Sequence, residues 1–153
     1  MLTLLIAIDG SPYSDRAVNY AVARAAATRE SVHVHLLNVQ MPLAGVNVKL
    51  FISQESQQAH YREEGMAVLA APRKRLAEAG IACEFHIGVG DPGQVIVEYA
   101  GSKHCDEVVM GTHGRGFLGG VVMGSVAQRV VQLASMPVVL VKSLAAVAVP
   151  FVV

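Results

Sequence analysis

Two spacings of apolar residues alternate along the chain. Leu4-Leu5-Ile6-Ala7-Ile8 is an unbroken apolar run of strand length, as expected where both faces of a strand are covered. Ser11-Pro12-Tyr13-Ser14 follows as a helix-start cluster, and Val18, Ala21, Val22 and Ala25 then recur at helical spacing. Val32 to Val39 reads as a second strand and residues 40–52, with Pro42 and Gly45, as a loop. Gln54 to Ala79 reads as a long helix carrying Leu69 and Leu76 on one face. Pro72 lies inside it and is expected to kink or split it. Ile81 to Ile87 is a third strand. Asp91-Pro92 then pairs an N-cap with a proline at the first helical position, opening a helix that turns Val95, Ile96 and Tyr99 inward. Glu107 to Met110 is a fourth strand, followed by a glycine-rich loop, a helix from Ser125 to Ala134 and a fifth strand from Pro137 to Val141.

Strands separated by helices imply a parallel sheet with right-handed crossovers and helices on both faces, a single doubly wound α/β domain. Ligands of such sheets settle outside the carboxyl ends of the strands, where the strand order reverses. The segments that fall there are Asp9-Gly10-Ser11, Val39-Gln40-Met41, Gly88-Val89-Gly90-Asp91 and the chain from Gly111 onward.

Composition narrows the partners. Of 153 residues, 53% are hydrophobic and 16% charged, against about 45–50% and about 25% in soluble proteins. That balance excludes a disordered chain and leaves apolar surface for a partner. Twelve basic and twelve acidic residues cancel, so no diffuse positive field exists to hold a nucleic acid, although a local anion site stays open. The first nine residues lack a basic segment and end in Asp9, which reads as a buried strand rather than a signal peptide. The apolar stretch from Val138 to Val153 is broken by Lys142, Ser143 and Pro150 and falls short of the roughly 20 residues a membrane span requires. Cys83 and Cys105 form no CxxC pair, so reduced thiols and a cytoplasmic location are expected.

Six of the fourteen glycines fall in one stretch: Gly111, Gly114, Gly116, Gly119, Gly120 and Gly124. A backbone that wraps an anion needs residues without a Cβ, some of them at positive φ, so that several amides converge. The stretch ends at Gly124-Ser125, where a helix starts and offers unpaired N–H groups. Gly114-Arg115-Gly116-Phe117-Leu118-Gly119 satisfies GxGxxG literally. However, no helix opens inside it, it follows the fourth strand rather than the first, and no acidic residue occurs after Glu107 to hold a ribose. The dinucleotide fingerprint is rejected. A Walker loop is also missing, because the sequence has no Gly-Lys-Ser/Thr. Phosphate charge would therefore meet backbone amides, Arg115 or Arg129, and a divalent metal.

Gly111-Thr112-His113-Gly114, nine further residues, and Gly124-Ser125 resemble the G-x2-G-x9-G-[S/T] signature of the ATP-binding branch of the universal stress protein family. Ile8-Asp9-Gly10-Ser11, Gly90-Asp91-Pro92, Val108-Val109-Met110 and Pro137 to Val141 agree in order and spacing, so the resemblance spans about residues 2–142. It implies a five-stranded sheet of order 3-2-1-4-5, an ATP site and a homodimer paired through the last strand. It places Ala7 and Asp9 beside the adenosine, with Val39 giving backbone hydrogen bonds to adenine and Met110 and Gly111 meeting the ribose. Gly114, Gly124, Ser125 and Val126 would hold the phosphates, with His113 and Arg115 near them. The sequence departs from the family after Lys142: residues 1–143 form the nucleotide-binding domain, and the apolar tail 144–153 is expected to pack across a subunit interface.

Other chemistry is weaker. His33 and His35 share a strand face and could begin a metal site, but no partner ligand is recognisable, and they read as ordinary sheet histidines. Asp106-Glu107 reads as a solvated turn. Ser125 lacks a G-x-S-x-G elbow, and Asp9 lacks the acidic neighbours of a phospho-acceptor. The expected function is an ATP-binding regulatory module of the stress response, with Mg²⁺ accompanying the nucleotide and a downstream protein partner. The alternatives are a slow ATPase or phosphotransfer enzyme using His113 and Mg²⁺, and an interaction scaffold without nucleotide.

Overall fold

In a computed structural model, residues 1–43, 51–114 and 123–142 are described. Their elements are β1 (Leu2–Ala7), α1 (Pro12–Ala27), β2 (Val32–Gln40), α2 (Gln54–Glu78), β3 (Ala82–Val89), α3 (Pro92–Ser102), β4 (Glu107–Gly111), α4 (Ser125–Leu133) and β5 (Val138–Val141). All neighbouring strands pair in parallel, and the order is β3-β2-β1-β4-β5, as expected.

The unbroken apolar run of β1 follows from its central place. Leu4 and Ile6 pack with Ala17, Val18 and Ala21 of α1 and Leu69 and Leu76 of α2. Leu5, on the other face, packs with Ile96 and Ala100 of α3 and Ala127 and Val130 of α4. The two helix pairs thus cover opposite faces. Helix starts are set locally. The Ser11 hydroxyl accepts from Ser14 N at 3.3 Å, and the Asp91 carboxylate accepts from Gln94 N at 3.2 Å, each just before a proline.

Pro72 does not split α2, which runs unbroken for 25 residues. Its buried residues Tyr61, Gly65, Leu69, Pro72 and Leu76 form one stripe, and Pro72 belongs to it. A proline inside a helix costs about 3 kcal/mol, whereas each fully buried leucine contributes about 1.5–3 kcal/mol, so Leu69 and Leu76 on either side hold the turn in register. Pro72→Ala should therefore raise stability by about 1–2 kcal/mol, because the restored helical hydrogen bond outweighs the lost ring contacts. Urea unfolding with an unchanged m-value measures it, and a lower midpoint would show that the ring contacts dominate.

Both cysteines are free thiols, and burial pushes each up to about 11. At neutral pH their thiolates are scarcer than those of an open cysteine by roughly a hundredfold or more. Iodoacetamide should label the native protein slower by about that factor than the urea-unfolded chain. Equal rates would contradict the burial.

Candidate functional site at the carboxyl edge of the sheet

The strand order reverses between β1, which leads to β2, and β4, which leads to β5, and a cleft opens where their carboxyl ends diverge. β1 delivers Ala7 and, just past its end, Ile8 and Asp9. Gly10 then turns the chain at a φ of 81°, and the Asp9 carboxylate accepts from Ser11 N at 2.8 Å. Asp9 therefore braces the turn into α1 as well as lining the cleft.

β2 outlasts β1 and supplies the cleft's other edge. Leu37 O accepts from Ile8 N at 2.8 Å, and Asn38 Nδ2 donates to Ile8 O at 2.7 Å, fastening the end of β1. Backbone groups two residues apart in a strand point the same way. Val39 therefore turns its N–H and C=O toward the side of β1, beyond Ala7, where β1 has left the sheet.

Beyond β4, Thr112 organises the floor. Its N–H donates to Val141 O of β5 at 3.0 Å, its carbonyl accepts from Gly124 N at 2.7 Å, and its hydroxyl lies 3.0 Å from His113 Nδ1. The His113 ring also packs 5.4 Å from that of Tyr13. Gly124 is the N-cap of α4, without a side-chain cap bond. Helix geometry leaves the amides of Ser125, Val126 and Ala127 without an acceptor inside the helix.

Nine of the eleven expected residues line this one cavity: Ala7, Asp9, Val39, Met110, Gly111, His113, Gly114, Gly124 and Val126. Ser125 is exposed at the first position of α4, outside the lining, and Arg115 and the tail 144–153 lie outside the described residues. One expectation about the glycines needs correction. The Gly124 amide is not offered to an anion, because Thr112 already accepts from it. Gly116, Gly119 and Gly120 lie outside the described residues, and among the described glycines positive φ occurs at Gly10, Gly80 and Gly90 rather than at Gly111, Gly114 or Gly124. Those three are needed for clearance: a Cβ on Gly114 would stand 2.6 Å from Asp9 Oδ2, and one on Gly111 would strike Tyr13.

Sequence reasoning missed Thr112, Leu37, Pro92 and Ile96 as wall residues. Leu37 was within reach, since it precedes Val39 by two and shares its face. Pro92 and Ile96 come from α3, whose placement over the cleft depends on packing between helices. The recess has a cavity volume of about 120 Å³ and opens to solvent on one side. At the opposite edge, Asp106 accepts from Thr3 N at 2.8 Å and Glu107 pairs with Arg24 at 3.4 Å, so neither faces the cleft.

Fold and cleft together define a doubly wound α/β protein with its binding crevice at the topological switch point. The model of the universal stress protein family matches residues 1–142. Universal stress protein MJ0531 of Methanocaldococcus jannaschii is 33% identical, over 91% of this chain and 81% of the relative. Universal stress protein YxiE of Bacillus subtilis is 28% identical, over 91% and 97%. Among solved structures, MJ0577 of Methanocaldococcus jannaschii superimposes with a TM-score of 0.83 at 26% identity, covering 95% of this chain and 98% of that one. A universal stress protein in complex with cAMP matches with a TM-score of 0.64 at 26% identity, over 92% and 96%. The chain belongs to the universal stress protein family.

Proposed function

We propose that the cleft binds an adenine nucleotide, ATP with Mg²⁺, and that the protein acts as a homodimeric regulatory module whose occupancy is read by a protein partner. One observation carries this reading: segments from β1, β2, β4, α3 and α4 converge on one recess beside a helix N-terminus. The base enters against Ala7, Leu37 and Val39, whose backbone supplies a donor and an acceptor. Met110 and Gly111 lie along the sugar. The amides of Ser125 and Val126 and the positive end of α4 face the phosphates. The cAMP complex of a family member at 26% identity supports an adenine nucleotide as the ligand class. Pairing through β5 is supported by its position at the sheet margin, with all four of its residues only partly buried.

Mass spectrometry of whatever co-purifies, with calorimetric titration of ATP, ADP and AMP with and without Mg²⁺, tests the reading. A bound adenine nucleotide or saturable micromolar binding is expected. A ligand-free protein that shows neither heat nor thermal shift with any of them would refute it. The enzymatic reading draws on His113 in the cleft wall. Sustained ADP release abolished by His113→Ala would favour it over the regulatory one.

A further inference from the structure

A second group of chemically competent side chains lies away from the cleft, on the β2–β3 edge of the sheet. His33 and His35 project from one face of β2, and the strand register sets Glu84 of β3 directly beside His35. His33 Nε2 lies 3.4 Å from Glu84 Oε1, and His35 Nδ1 lies 4.0 Å from Glu84 Oε2. One ligand atom from each of the three falls within 4.8 Å of the others, the one such grouping of His, Cys, Asp and Glu among the described residues. We propose that His33, His35 and Glu84 form a binding site for a late first-row divalent cation such as Zn²⁺, clamping β2 to β3.

Three features support this. First, the carboxylate stands too far from either ring for a good hydrogen bond, which wants about 2.7–3.2 Å. Donor atoms sharing one ion at about 2.0–2.2 Å in a tetrahedron sit about 3.4 Å apart, a spacing the His33–Glu84 pair already has, and the group as a whole, within 4.8 Å, closes on an ion by side-chain rotation. Second, the donors are graded in depth. The His35 side chain is 7% exposed, that of His33 23% and that of Glu84 60%, so the rigid ligands are inside and the adjustable one outside, with the remaining position open to water. Third, the donor set is two imidazoles and one carboxylate, which suits Zn²⁺, Cu²⁺ or Ni²⁺ over Mg²⁺ or Ca²⁺. The Tyr99 hydroxyl lies 3.5 Å from His35 Nδ1, at the limit of a hydrogen bond, so a cation taking that nitrogen forfeits little. Lys103, whose ammonium lies 5.8 Å from the Tyr99 ring centre, is the opposing charge and limits affinity.

The test uses the full chain, free of affinity tag and nucleotide and stripped with EDTA. It is titrated with ZnCl₂ by calorimetry, and Co²⁺ absorption reports the coordination. One equivalent should bind, Tm should rise, and His33→Ala and Glu84→Gln should each weaken binding by about 10–100-fold with unchanged circular dichroism. Both side chains reach solvent, so neither variant endangers the fold. Cys83 precedes Glu84 and faces the other way, so Cys83→Ser should bind as the parent does. Failure to saturate at one equivalent, binding that survives both substitutions, or loss of binding in Cys83→Ser would each overturn the site.

Discussion

Ser125→Asp should weaken ATP binding at least about tenfold while leaving the domain as stable as before or slightly more so. The two effects have opposite signs for one reason. An acidic side chain in the first turn of a helix complements the partial positive charge there, a gain of about 0.3–1 kcal/mol. The same charge occupies the rim where phosphate oxygens would approach the Ser125 and Val126 amides, and tenfold in affinity corresponds to about 1.4 kcal/mol. Gly124→Val attacks the same corner sterically, since a Cβ there would already stand 3.2 Å from Thr112 O and the branched methyls add more. Calorimetric titration beside thermal melting separates the effects. Parental affinity in both variants would remove α4 from the site.

Gly65→Val should cost about 2–3 kcal/mol, although helix propensity alone would make it slightly favourable. Gly65 is where α2 lies flat on β3: a Cβ there would stand 2.7 Å from both Cγ1 and Cδ1 of Ile87. Either the helix lifts, loosening Leu69 and Leu76, or Ile87 leaves its rotamer. Urea unfolding measures the loss. The double variant Gly65→Val, Ile87→Ala should recover part of it, whereas strictly additive losses would show that the two do not meet.

Much of the fold was legible because its signals are local. The runs of β1 and β2 announce burial on two faces, and Ser11-Pro12 and Asp91-Pro92 announce helix starts through hydrogen bonds that span three residues. The cleft was legible in outline because a parallel sheet sends all its carboxyl ends to one edge. What stayed hidden depends on partners distant in sequence. Pro72 looked like a break because its cost is intrinsic while its compensation comes from a sheet it meets only after folding. The amide of Gly124 looked available until Thr112 was seen to accept from it. Glu84 could not be matched to His33 and His35 without the β2–β3 register, which no local pattern encodes.

Thr112 joins two places that a ligand and a neighbouring subunit would each touch. Its carbonyl is anchored to the start of α4 and its amide to Val141 on the outermost strand. Any displacement of the crevice floor is thus transmitted outward: the marginal strand either follows by a comparable distance or surrenders a main-chain bond. The floor of the cleft and the edge of the sheet are thus joined through one residue, by the two peptide planes that meet at its Cα.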